Sequence, residues 1–233
     1  MMNKYLIITG GSRGIGEKTI CHFLQHSWQV INISRTPCTM TDVINFQIDL
    51  SCVNGINQYS ESLCDVIKEK SVISLVHNAA FYKRDHVGSL SLTDLQTTLQ
   101  TNVISPAALN QIWIPQMLPG SSIIYIGSTL STKGVPENAS YIISKHALVG
   151  LMKATCQDLL SQHIHTCCIC PGLVDTDLLK RSIPEPVVDQ ILTQVMGQRL
   201  IEPHEIAKLI FFCADNPIVN GATIHANLGQ AEN

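Results

Sequence analysis

Short apolar runs recur along the chain with helix-length spacers between them, at 5–9, 29–33, 45–48, 72–76, 122–126, 165–170 and 222–226. Such runs, bounded by turn residues, suit strands buried on both faces. The spacers carry apolar side chains at helical intervals, as in Ile15, Thr19 and Phe23 with Ile20 and Leu24, or Ile206, Leu209, Ile210 and Cys213. A strand followed by a helix returns parallel through a right-handed crossover, so this alternation predicts an α/β fold. The expected architecture is a doubly wound, seven-stranded parallel sheet flanked by helices on both faces. No linker, low-complexity segment or fixed-period repeat divides the chain, and a single domain over 1–233 is the simplest reading.

Composition narrows the function classes. With 233 residues and 45% hydrophobic content the chain can bury a substantial core, and a net charge of -3 with 14% charged residues offers no basic stripe for nucleic acid. The apolar run near the start ends at Gly10, too short for a signal-peptide core, and no apolar stretch reaches the roughly 18 residues of a membrane span. Nine cysteines without framework spacing argue for a reducing, cytoplasmic setting rather than a disulfide scaffold. The cluster Cys167-Cys168-Ile169-Cys170 lies in an apolar run with no second ligand pair at zinc spacing, so buried apolar thiols are expected and no metal.

Directly after the first run comes Thr9-Gly10-Gly11-Ser12-Arg13-Gly14-Ile15-Gly16, and then a helix. Glycines let the backbone turn sharply and approach a pyrophosphate, while the helix amino end offers free N–H groups and a favourable dipole. The placement predicts a Rossmann-type dinucleotide site built on Gly10, Ser12, Arg13, Gly14, Ile15 and Gly16. At the end of the second run the chain has Ser34-Arg35, where an NAD-selective protein would offer an acid to the ribose. A guanidinium there pairs with a 2'-phosphate, and Arg13 is a second cation within reach, so NADP(H) is preferred with NAD(H) still possible.

Tyr141 and Lys145 are four residues apart, and Ser128 precedes the tyrosine by thirteen. Positions i and i+4 share a helix face, so a phenol and an ammonium stand side by side. A cation there favours the phenolate, lowering a group that ordinarily titrates near about 10 by roughly 1 to 3 units. The pair becomes meaningful only with the glycine turn ahead of it.

Taken together, the chain resembles the short-chain dehydrogenase/reductase family over essentially its whole length. The resemblance rests on the turn from Thr9 to Gly16, Asp49-Leu50, Asn78-Ala79-Ala80, Asn102, Ser128, Tyr141 with Lys145, and Pro171-Gly172 in order. It implies an NADPH-dependent oxidoreductase that reduces a carbonyl, or the reverse, with Tyr141 as general acid/base. Ser128 would stabilise developing charge on the carbonyl oxygen, Lys145 would lower the tyrosine pKa and hold the ribose hydroxyls, and Asn102 would place a water linking the lysine to solvent. Asp49 and Leu50 would lie at the adenine, Asn78, Ala79 and Ala80 would shape the cofactor pocket, and Pro171, Gly172, Val174 and Thr176 would line the nicotinamide side. Two departures stand out. His77 replaces an asparagine and Ala80 a glycine in Asn-Asn-Ala-Gly, and the closing glycine pair reads Leu228-Gly229.

The substrate is the least constrained element. Phe81, Tyr82, Leu130 and Val135, with the apolar segment around 173–201 as a lid, suit an apolar carbonyl or alcohol. Within the resemblance, a 3-oxoacyl-acyl carrier protein reductase is a specific alternative, and Lys83-Arg84 and Lys180-Arg181 could dock an acidic carrier. A rival of another class is a non-catalytic NADP(H)-binding redox sensor, against which the retained Ser128, Tyr141 and Lys145 argue. The resemblance also implies a homodimer or homotetramer, with Leu148, Leu151, Met152 and Leu159 expected on the outer face of the helix carrying Tyr141. His86, His163, His165 and His204 are expected in surface or capping roles, and Trp28 and Trp113 in packing.

Overall fold

The computed structural model describes residues 3–230; the first two residues and the last three of the predicted span 1–233 lie outside them. Seven strands form one sheet: β1 Lys4–Thr9, β2 Gln29–Ser34, β3 Val43–Gln47, β4 Val72–His77, β5 Ser122–Ile126, β6 His165–Pro171 and β7 Ala222–Ala226. All pairings are parallel, in the order β3-β2-β1-β4-β5-β6-β7. The order reverses between β1 and β4, which opens a crevice at the carboxyl ends of these strands. Six strands match the apolar runs closely. β3 begins two residues earlier than its run, because it is an outer strand paired only with β2, and Ile44 stays exposed there.

Helices α1 (Gly14–Gln25), α2 (Ser60–Asp65), α3 (Leu92–Leu99), α4 (Ser105–Trp113), α5 (Ala139–Asp158), α6 (Asp177–Ser182), α7 (Glu185–Leu192) and α8 (Pro203–Asp215) fill the spacers. Alternate strand residues feed two cores. On one face Ile7, Ile31, Leu75, Ile123 and Tyr125 pack with Leu109 and Trp113 of α4 and Leu148 and Met152 of α5. On the other, Leu6, Ile8, Val30 and Ile124 pack with Ile20 and Phe23 of α1, Trp28, and Ile206 and Ile210 of α8. Each such side chain contributes roughly 1.5–3 kcal/mol when removed from water.

Two expectations change. Leu148, Met152 and Leu159 are buried in the first core and Leu151 packs against it, so they are not the outer face of α5. The sheet claims its large apolar row, leaving Ile143, Ala147, Gly150 and Ala154 outward. His165 is also buried rather than superficial, with Nε2 2.8 Å from the Cys213 carbonyl near the end of α8. His86 caps a short turn by accepting from Gly88 N–H, and Trp28 and Trp113 are core residues as expected. Cys167, Cys168 and Cys170 are buried in β6, and none of the nine cysteines is in a disulfide. Among the described residues no helix is long and apolar enough to cross a membrane.

The stretch 173–201 leaves the sheet and returns. Its base is closed by Ile201, whose N–H donates to Leu173 and whose carbonyl accepts from Asp175, both at 2.9 Å. Between them lie α6 and α7, and no residue of α7 is buried.

Candidate active site

The glycine turn occupies the crevice as predicted. Gly10 and Gly14 have φ of +70° and +57°, the left-handed region open to glycine. A Cβ on Gly16 would lie 2.2 Å from the Gly10 carbonyl oxygen, so the turn folds onto itself too tightly for any side chain. Thr9 anchors it, its hydroxyl accepting from the N–H groups of Asn78 and Ala79, while Asn78 Nδ2 donates to the carbonyls of Thr9 and Gly10. Gly11 N–H donates to the buried Asn32 side chain.

The amino end of α1 has Arg13 at its cap position with no side-chain bond to the first turn. Uncapped N–H groups behind a side-chain-free turn suit a pyrophosphate, so the residues present fit a dinucleotide. Around this turn stand the other predicted contacts. Ser12, Ile15 and Ala80 are half-buried, and Arg35 is exposed just beyond β2. The Ser34 hydroxyl is committed to the Thr36 carbonyl. Beyond β3, Leu50 is buried, and Asp49 accepts from Ser51 N–H and hydroxyl, bonds that lower its carboxyl pKa and outweigh its partial burial; the Arg35 charge adds to the shift. Pro171 ends β6, Gly172 N–H donates to Ala226, Val174 is buried, and the Thr176 hydroxyl accepts from Leu179 N–H to cap α6. Arg13 forms a 3.6 Å ion pair with Asp177 between two exposed side chains.

Ser128 follows β5, while Tyr141 and Lys145 occupy the first two turns of α5, which packs on the sheet face in the first core. The Ser128 hydroxyl accepts from Leu130 N–H and stands near enough to the Tyr141 phenol to favour its ionised form. Lys145 is only 2% exposed, and its Nζ donates to the Ile126 carbonyl at 2.6 Å and lies 5.4 Å from the Tyr141 ring centroid. Burial pulls the lysine pKa down to about 8, against an opposing pull from Cys168 and Cys170.

The expected lowering of the tyrosine pKa is not what the geometry gives. Burial pushes the Tyr141 phenol well above its ordinary value, with Ser128 working against it, and the Lys145 ammonium is turned to the Ile126 carbonyl.

Asn102 sits in a π-helical turn, Gln100–Ile104, that joins α3 to α4. It is 1% exposed, and both ends of its amide are engaged: Oδ1 accepts from Phe81 N–H, and Nδ2 donates to the Phe81 carbonyl and the Ser144 hydroxyl. Ser144 in turn donates to the Tyr141 carbonyl. The amide thus ties the loop after β4 to α5.

Tyr82, expected at a pocket edge, packs edge-on to Tyr141, ring centroids 5.2 Å apart, and one further neighbour went unrecognised in the sequence. Asp85 reaches the start of α5 and accepts from Ser140. The residue immediately before Tyr141 was the available signal, since a serine in a first helical turn is an anchor for an outside carboxylate as readily as a cap.

The family model described as Enoyl-(Acyl carrier protein) reductase matches residues 11–231. The 3-oxoacyl-[acyl-carrier-protein] reductase FabG of Staphylococcus epidermidis is 27% identical, over 98% of this chain and 99% of its own. Acetoacetyl-CoA reductase of Rhizobium meliloti is 29% identical with 98% and 99% covered. A short chain dehydrogenase family protein from Francisella tularensis superposes with a TM-score of 0.87 at 26% identity, covering 99% of both chains. Matched from end to end in both sequence and fold, this chain belongs to the short-chain dehydrogenase/reductase family and is an oxidoreductase acting on CH–OH and C=O groups.

Proposed function

We propose that this enzyme reduces the carbonyl of an apolar small molecule to a hydroxyl, using NADPH in preference to NADH. The supporting observation is that Ser128 and the buried Lys145 both stand beside the Tyr141 phenol, Lys145 Nζ 5.4 Å from its ring centroid. When bound, the dinucleotide supplies the hydride. Ser128 and Tyr141 present two hydroxyls at one point, where a substrate oxygen can accept from both as its negative charge grows. Tyr141 then gives up its proton. An alkoxide is the conjugate base of an acid about as weak as water and far weaker than a phenol, so a phenol pushed above its usual value still transfers its proton downhill. Burial keeps that phenol protonated at neutral pH, the state a reduction needs. Lys145 balances the charge left on the phenolate, and Asn102 fixes the wall beside it through Phe81 and Ser144. The segment 173–201, tied at its base and unburied along α7, is proposed as the substrate lid.

The test is Tyr141→Phe against a panel of ketones, quinones and 3-oxoacyl thioesters. Loss of one proton donor is expected to lower turnover at least about a hundredfold. Near wild-type rates on a substrate the parent reduces would refute the assignment.

Arg35 supports the choice of NADPH, being exposed where a 2'-phosphate would lie, and Arg13 is held only by a solvent-exposed pair that costs little to release. Arg35→Asp is expected to raise the KM for NADPH about tenfold and improve use of NADH. An unchanged ratio of the two would assign the preference elsewhere.

A carrier-bound substrate is the second reading, favoured by the name of the Staphylococcus relative. Against it, three of the four expected docking cations, Lys83, Arg84 and Lys180, are already paired with Asp94, Glu137 and Asp175. A homodimer or homotetramer is proposed from the family resemblance, through the outward row of α5. Nine thiols without a disulfide suit a cytoplasmic enzyme.

A further inference from the structure

Helix α5 carries the acid in its first turn, yet its own cap residue, Asn138, makes no side-chain bond to that turn. The Asn138 side chain is spent elsewhere: Oδ1 accepts from the Tyr82 hydroxyl and Nδ2 donates to the Pro136 carbonyl. The missing cap comes from outside the helix. Asp85, in the loop after β4, accepts from Ser140 N–H at 3.1 and 3.3 Å through its two carboxylate oxygens, and also from the Ser140 hydroxyl. Ser140 is 1% exposed and immediately precedes Tyr141.

The backbone doubles the link. Asp85 N–H donates to Glu137 at 3.1 Å in an isolated parallel bridge between Asp85 and Asn138, and Arg84 pairs with Glu137. At the other end of the same loop, Asn102 holds both backbone groups of Phe81. Tyr82, between these two anchors, packs edge-on against Tyr141. The loop is therefore clamped at both ends against the helix that carries the acid.

From this geometry we infer that Asp85 is a positioning residue for Tyr141. Its carboxylate fixes the first turn of α5 in place of a local cap, and so sets where the Tyr141 hydroxyl meets Ser128 and how Tyr82 walls the substrate side. A negative group at a helix amino end is favoured by the dipole, and a carboxylate held by both the N–H and the hydroxyl of Ser140 is fixed in rotation as well as distance. Displacing a reacting group by about 1 Å can cost on the order of a hundredfold in rate. The inference rests on Tyr141 being the proton donor.

The experiment compares Asp85→Ala and Asp85→Asn in the full chain, with Tyr141→Phe as reference, on whichever carbonyl of the ketone, quinone and thioester panel the wild type reduces. Asp85→Ala is expected to lower kcat at least about tenfold while the NADPH dissociation constant stays within about twofold. Asp85→Asn keeps an acceptor for Ser140 N–H and should retain at least about a third of wild-type kcat. A cap serving only the fold would instead lower the unfolding midpoint and leave kcat within about twofold, which overturns the role; Asn as impaired as Ala overturns it too. If Asp85→Ala does not fold, Ser140→Ala removes the hydroxyl bond alone, and an unchanged kcat there counts against the role as well. Full activity in Tyr141→Phe, or no turnover of the panel by the wild type, removes the reading beneath the inference and the inference with it. Inactive Tyr141→Phe beside fully active Asp85→Ala removes the inference alone.

Discussion

Lys145 shows what the active site costs the fold. Its side chain is buried to 2% exposure and given one carbonyl partner, and burial draws its pKa from 10.5 to about 8. A lowered pKa in the folded state means that the unfolded chain holds its proton more tightly. The lysine is thus without penalty only above its unfolded value, and below pH about 8 it opposes folding by on the order of 3 kcal/mol. Lys145→Met is therefore expected to stabilise the enzyme without bound dinucleotide by about 1–3 kcal/mol and to abolish turnover. Urea unfolding at pH 7 checks this, and a less stable variant would contradict it. Tyr141, Lys145 and Ser128 were legible in the sequence because their spacing is local and their order follows the strands. The direction of the Tyr141 shift was not, because desolvation depends on which groups from β5, β6 and the loop after β4 close around the phenol.

Between elements, a buried polar chain crosses the first core from β4 through α4 and β5 to α5. His77 Nε2 lies 2.8 Å from Asn110 Oδ1, Asn110 donates to the Tyr125 hydroxyl, and Tyr125 lies 3.0 Å from the Thr155 hydroxyl. Burial pulls the His77 pKa down to about 4, the Asn110 bond opposing it. Because this pKa is depressed, the histidine's contribution is fully present above its unfolded value of 6.5 and lost as the pH falls toward 4. The wild type should lose about 3 kcal/mol over that window through this group, and His77→Gln should lose correspondingly less. Unfolding free energies measured at intervals between pH 7 and 4 decide it, and parallel curves would rule out His77 as the cause. His77 was visible in the sequence as a departure from Asn-Asn-Ala-Gly. Its partners were not, since Asn110, Tyr125 and Thr155 are brought to it only by the packing of α4 and α5 on the sheet.

At the scale of the whole molecule, the outward row of α5, Ile143, Ala147, Gly150 and Ala154, leaves a face where a second helix can approach closely, and Ile104 is exposed on the π-helical turn that leads into α4. Sedimentation at micromolar concentration is expected to show a dimer or tetramer, and a stable monomer would refute the assembly. The resemblance implied larger side chains on that face, since an apolar stripe along a helix does not say which neighbour takes it. The strand count, the strand positions, the glycine turn and the order of the Ser128, Tyr141 and Lys145 set were determined by the sequence alone, since each depends on backbone preferences and spacings within a few residues. Only the tertiary structure decided that Asp85 caps α5, that Asn102 and Ser144 tie the loop after β4 to the helix, and that Lys145 faces Ile126. Those contacts join residues 19 to 55 positions apart, and their geometry exists only once the sheet and helices have packed.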